Sequence, residues 1–300
     1  MSGEHGSSAA LTSAGRHKRP LVIALGLTAL FMVVETVVAL TSGSLALLSD
    51  AGHMLTDVAG LGMALLAIQL GRRRRDPAHT YGLYRLEVLA ALANAVLLFA
   101  VAGYVLYEAY GRLREPPEVP GLPLLVVAGV GLLVNVVSFL LLRAGAKESL
   151  NVRGAFLEVL SDLLGSLGVI LAGAVLLTTG WPYADPIIGA AIGVFILPRA
   201  WRLGREALRI LLEIAPRELD VRAVQQRLAG VAGVEDVHDL HVWTLTSGLL
   251  AASGHLRLAQ GAEAGAVLQQ ATDALNHDFN IGHVTLQTEP TDYREPTAEV

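Results

Sequence analysis

Three hundred residues would suit one large soluble domain or two modest ones, but 53% of them are hydrophobic, only 16% carry charge, and the mean hydropathy is +0.53. Soluble domains carry roughly 25% charged residues, so this balance excludes a long disordered chain and points to a membrane protein with a soluble appendage. The net charge of −5 excludes a nucleic-acid binder that works by bulk positive charge, and the absence of cysteine excludes disulfide frameworks, zinc ribbons and thiol redox chemistry.

The predicted elements begin after a polar leader, residues 1–19, rich in Ser, Gly and His and expected to be disordered in the cytoplasm. The leader is too long, and the apolar run behind it too extended, for a cleavable signal peptide. A spanning helix needs about 20 mostly apolar residues. Six stretches qualify, at 20–41, 44–70, 86–110, 121–143, 152–178 and 185–203, and residues 20–214 are expected to form a six-helix transmembrane domain. Short Gly- and Pro-containing connectors such as Thr41-Ser42-Gly43 and Gly180-Trp181-Pro182 suit antiparallel neighbours.

Positive residues collect on one side of these spans. Arg16, Lys18 and Arg19 precede the first, and Arg72–Arg75 with Arg85 lie between the second and third. Arg143, Lys147 and Arg153 lie between the fourth and fifth, and Arg199, Arg202, Arg205 and Arg209 follow the sixth. The opposite connectors offer only Arg112 and Arg114, so the positive-inside rule puts both termini in the cytoplasm of a multi-pass cell-membrane protein. The four-arginine run is read as part of this topology signal, and no interleaved aromatics support nucleic-acid binding.

The second span carries Asp50, His53 and Asp57, spaced i, i+3, i+7, and the fifth carries Glu158 and Asp162, spaced i, i+4. At 3.6 residues per turn each set shares one helix face. An ionisable group at a helix centre costs about 2.5–3.5 kcal/mol even on the lenient insertion scale, so several in two spans call for a cation, protons or a water-filled cavity. A purely structural polar network is the bland alternative. The segments also echo each other, as His53…Asp57…Gly60 and Glu158…Asp162…Gly165, in the middle helices of spans one to three and four to six. With three spans per half the second copy runs opposite to the first, the arrangement of an inverted repeat with its site at the repeat interface.

An imidazole and three carboxylates suit a divalent first-row cation, Zn2+ best if tetrahedral. Ligation needs deprotonated groups, so metal entry expels protons and the site couples the two ions. No G-x-x-x-x-G-K-[ST] loop occurs and Lys18 and Lys147 are the only lysines, so ATP is not expected as fuel. His53 stands outside any H-E-x-x-H pattern, and neither an enzyme nor an organic cofactor is expected. Asp50 is read either as a partner that supports a ligand or relays a proton, or as a group near the outer end that meets water. The small residues Gly52, Gly60, Gly62, Gly165, Ser166 and Gly168 allow close helix approach.

Residues 1–214 hold 17 Lys and Arg against 15 Asp and Glu, net +2, while 215–300 hold 5 against 12, net −7. The change in charge and patterning marks a cytoplasmic domain at 215–291 with a tail at 292–300. Helical spacing at 218–230, strands at Val234–Thr246 and Leu249–Leu258 about Ser247-Gly248, a helix at Glu263–His277 and a strand at His283–Thr288 give the order αββαβ. That is a small two-layer α+β domain, ferredoxin-like in the manner of metallochaperones, and one of this size is plausibly stable only as a dimer. It holds His238, His241, His255, His277 and His283, with Glu289 ending the last strand, a candidate second metal site.

With these residues assembled, the chain resembles the cation diffusion facilitator family, near its zinc-exporting branch. The likeness rests on Ser44-Leu45-Ala46-Leu47-Leu48-Ser49-Asp50-Ala51-Gly52-His53-Met54-Leu55-Thr56-Asp57, on Arg153-Gly154-Ala155-Phe156-Leu157 and on His238-Asp239-Leu240-His241-Val242-Trp243, within residues 15–290. It implies a homodimeric cation/proton antiporter that exports zinc, sometimes cadmium or cobalt, with a metal-sensing tail. His53, Asp57 and Asp162 then match transport ligands, and His238, His255, His283 and Glu289 match positions that bind regulatory metal. Two departures stand out: Glu158 occupies a position that is usually His in such zinc exporters, and the His-rich loop between spans four and five is replaced by Ala144-Gly145-Ala146-Lys147-Glu148-Ser149. The first would retain a proton on one ligand or widen selectivity toward Mn2+ or Fe2+. A membrane-anchored metal sensor and a membrane metalloenzyme are the alternatives from other classes.

Overall fold

The computed structural model describes residues 18–71, 80–81, 83–143, 150–246 and 248–293, without the side chains of 18–21, 60–71, 150–155, 157 and 158. Six long helices come first: α1 (Lys18–Ser42), α2 (Leu45–Gly71), α3 (Arg85–Arg114), α4 (Gly121–Leu142), α5 (Leu150–Thr179) and α6 (Ala184–Leu211). An αββαβ segment follows, as α7 (Val221–Ala229), β1 (Val234–Thr246), β2 (Leu249–Leu258), α8 (Ala264–Phe279) and β3 (His283–Glu289). The leader up to residue 17, the Arg72–Arg75 run, the 144–149 connector, Ser247 and the tail from 294 lie outside the described residues.

Each expected span coincides with a helix, and the largest difference is at the sixth. There α6 continues past residue 203 to Leu211, through Pro198. The extension bears Arg205, Glu206 and Arg209, so apolarity ends before the helix does. Among the described residues five helices are long and apolar enough to cross a membrane: Val22–Ser42, Arg85–Arg114, Gly121–Leu142, Val159–Thr179 and Ala184–Leu211. No more than 33% of any of their most apolar windows is buried. Leu30, Leu40, Leu133 and Phe195 therefore face outward. Such a surface suits hydrocarbon, where a helix also satisfies its own backbone.

The described residues form two compact units, one up to Gly62 and over Ala93–Leu203, the other over Met63–Leu92 and from Gly204 onward. In the first, α4 packs on α1 and on α5. Phe31, Met54, Leu124, Val127 and Val169 form its largest apolar cluster. Leu45 with Val105 and Ala109 joins α2 to α3, and Leu98 with Ile196 and Ala200 joins α3 to α6.

The start of α2 is held firmly. Gly43, at φ +70°, ends α1 in the left-handed conformation that glycine adopts without strain. Ser44 caps α2, its Oγ accepting from Leu47 N at 3.1 Å. The fully buried Asp185 of α6 accepts from Leu45 N at 2.7 Å, from Ala46 N at 3.2 Å and from the Ser44 hydroxyl. Arg112 lies 3.8 Å from the same carboxylate. A carboxylate at a helix N-terminus meets unpaired N–H groups and the positive end of the helix dipole.

In the second unit the sheet has the order β1-β2-β3, with β1 and β2 antiparallel and β2 and β3 parallel. The parallel pair is bridged by α8, as such a connection requires. Asp220 caps α7 and Glu263 caps α8. Asn280, at φ +55°, closes α8 while Ile281 N reaches back to Leu275 O, leaving Ile281 buried beneath the turn. Val224, Leu228, Val242, Leu256, Ala271 and Leu275 build the core between helices and sheet. On the same unit Arg85 pairs with Glu213, and the Thr246 hydroxyl donates to Glu87 at 2.6 Å.

Candidate metal centres

Two donor clusters stand out among the described residues, one on the long helices and one on the sheet. In the first, α2 supplies His53 and Asp57 and α5 supplies Asp162. His53 Nε2 lies 3.7 Å from Asp57 Oδ2 and 3.7 Å from Asp162 Oδ1. The three donor atoms fall within 4.8 Å of one another. Tetrahedral ligands at about 2.0–2.1 Å from an ion stand about 3.3 Å apart, so a small inward shift closes this set around a first-row divalent cation. His53 and Asp162 are buried and Asp57 is partly so. Glu158 lies one turn before Asp162 on α5, but its side chain is outside the described residues.

Asp50, one turn before His53, is buried, 2% exposed. Its carboxyl neighbours that of Glu35 from α1. It also fills the space a side chain at Gly165 would need, since a Cβ there would stand 2.5 Å from Asp50 Oδ1. Gly165 is thus a site of close approach to a polar group as well as of helix packing. Nearby, Asn135 of α4 donates to Ser166 Oγ at 3.2 Å. Glu35 was absent from the expected site, although a lone acid inside an apolar span is itself the signal that marks it.

A second unexpected member is Arg199 of α6. Its guanidinium reaches Asp57 with Nη2 at 2.8 Å from Oδ1 and Nη1 at 3.4 Å from Oδ2. By sequence it belonged with the arginines that set topology; in the fold it contacts Asp57 of the helical donor cluster.

On the sheet, His238 and His255 are cross-strand partners with ring centroids 5.3 Å apart. Glu289 bridges them, Oε1 at 2.9 Å from His255 Nδ1 and Oε2 at 3.2 Å from His238 Nε2. Asp239, at φ +48° within the irregular stretch of β1 between His238 and His241, sits 3.8 Å from His255 and 2.8 Å from His241. The expected fourth member, His283, is a correction: it does not join this cluster. It begins β3 while Glu289 ends it, a separation of about 20 Å at 3.3 Å per residue, and its ring lies edge-on to Tyr81 at 5.5 Å. Strand alternation places both on one face, but distance along the strand parts them. His277 lies in the last turn of α8.

Residues 21–212 match the cation efflux transmembrane domain and residues 216–291 the cation efflux protein cytoplasmic domain. The chain is 45% identical over 277 residues to the metal cation efflux system protein CzcD of Cupriavidus metallidurans, covering 92% of this chain and 87% of that one. It is 40% identical over 291 residues to the zinc transporter ZitB of Escherichia coli, covering 96% and 93%. It is 36% identical over 280 residues to the cadmium, cobalt and zinc/H(+)-K(+) antiporter of Bacillus subtilis, covering 92% and 90%. Matched along nearly its whole length, the chain belongs to the cation diffusion facilitator family of cation efflux proteins, which are membrane transporters and not enzymes.

Proposed function

We propose that this protein is a zinc/proton antiporter that exports Zn2+ from the cytoplasm by alternating access. The observation that carries the reading is the convergence of His53, Asp57 and Asp162 from two helices on one point. Glu158 serves as the fourth ligand. α2 joins the five other apolar helices to make six spans, both termini are cytoplasmic, and α2 and α5 are equivalent helices of an inverted repeat. Carboxylate and imidazole ligands bind metal only when deprotonated, so protons arriving from the far side displace the ion and reset the site. The names of ZitB and of the Bacillus relative support zinc as cargo and proton exchange as the driving reaction. The αββαβ domain joins two copies into a homodimer and senses metal through His238, His255 and Glu289, with Asp239 at its edge.

Protein reconstituted in vesicles with a pH reporter is expected to move protons against added Zn2+ or Cd2+, and Asp57→Ala or Asp162→Ala to abolish the exchange. Absence of any metal-driven pH change in the wild type rejects the reading. A carboxylate at Glu158 also favours harder cations than imidazole does. Replacing it in Glu158→His is expected to raise the preference for Zn2+ over Mn2+; an identical metal ranking would remove Glu158 from the ligand set.

A further inference from the structure

The carboxylate of Asp57 is engaged by a cation that the protein itself supplies. Both its oxygens face the guanidinium of Arg199, at 2.8 and 3.4 Å. That two-point arrangement is the strongest form of a charge-assisted hydrogen bond. Asp57 Oδ2 is also the atom 3.7 Å from His53 Nε2, so the oxygen needed by an incoming ion is one the arginine already holds. Both partners are only partly exposed, 17% for the Asp57 side chain and 29% for that of Arg199, so water screens the pair incompletely.

Charge arithmetic points the same way. Asp57 and Asp162 contribute −2, and Glu158 brings the total for the proposed ligands to −3. Arg199 returns it to −2, the charge a divalent cation neutralises. An arginine cannot lose its proton in a protein, so this positive charge is present in every state of the site.

We propose that Arg199 is the resident counter-ion of the transport site: it holds Asp57 when the site is empty, is displaced from that carboxylate as the divalent cation binds, and returns to help expel it. Arg199 is thus a positioning residue that weakens cation binding enough for release, and the inference rests on the transport reading above. A site without it binds more tightly and turns over more slowly.

The test is equilibrium binding of Cd2+ and Zn2+ to the full-length protein in lipid, in a His238→Ala/His255→Ala background that leaves the transport site as the measured one. Arg199→Gln is expected to tighten binding roughly tenfold, the effect of losing a competing cation worth about 1.4 kcal/mol, and to lower KM and kcat together. Arg199→Met, which keeps the apolar stem, carries the same expectation if the Gln variant does not accumulate. Arg199→Lys restores the charge and is expected to reverse most of the tightening. Unchanged or weaker binding in the neutral variants, as loss of a merely structural contact would give, overturns the proposal, as does a Lys variant that binds as tightly as the Gln one. If instead the wild type binds no cation, the transport reading itself fails.

Discussion

Acids inside apolar helices survive only with partners, and in this protein the partners name the roles. Glu35 meets Asp50, Asp57 meets Arg199, Asp162 meets His53, and Asp185 meets the first N–H groups of α2. The Glu35–Asp50 contact joins two acids, whereas each of the other three joins an acid to a basic or N–H group. Its geometry depends on the missing side chain at Gly165. Gly165→Ala would thrust a Cβ to 2.5 Å from Oδ1 of the buried Asp50. Overpacking of that kind costs about 1–3 kcal/mol, so the variant is expected to melt several degrees below wild type in detergent. Gly129→Ala, where the added atom meets nothing within 4 Å, is expected to melt like wild type and serves as the control.

Helices and strands position these groups by how they begin and pair. Asp185 sets where α2 starts, and with it where His53 and Asp57 lie along the helix. Asp185→Ala would strand the N–H groups of Leu45 and Ala46 and the Ser44 hydroxyl in a buried place, and leave Arg112 with Glu108, at 3.1 Å, in place of two carboxylate neighbours. An unsatisfied buried group costs about 1–3 kcal/mol. Asp185→Ala is therefore expected to lower the thermal midpoint more than Asp185→Asn, which keeps an acceptor. On the sheet, the ladder joins β1 to β2 through the backbone and does not need the histidine rings. His255→Ala is accordingly expected to remove metal binding at the cytoplasmic cluster, read as a lower metal-to-protein ratio, with the circular dichroism spectrum of the full chain unaltered. His283→Ala should leave that ratio unchanged, because β3 carries it away from Glu289.

Across the chain, a bilayer-facing bundle and an acidic αββαβ domain meet different solvents. Residues 216–291 form a small core, and domains of this size bury too little apolar surface to be robust alone. The full-length protein is expected to cross-link as a dimer in lipid, and a monomeric mass by light scattering after detergent correction would contradict that assembly. Much of this architecture was legible beforehand. Hydropathy and period reveal where spans lie and which residues share a helix face, and Val234–Thr246 and Leu249–Leu258 were readable as strands because alternation is local. The end of α6 was not, since apolarity stops at the membrane boundary while helical hydrogen bonding continues to Leu211.

The identity of the donors, their spacing on α2 and α5 and the chemistry they imply follow from the order of residues, because a helix converts sequence spacing into a shared face without help from elsewhere. Which charge answers which does not. Arg199 finds Asp57 across 142 positions and Ser44 finds Asp185 across 141, contacts created only when separate helices pack at one depth and rotation. The same applies to His283, which shares a strand face with Glu289 yet stands too far along it to share an ion. Local periodicity tells which side a group is on; packing alone tells what waits for it there.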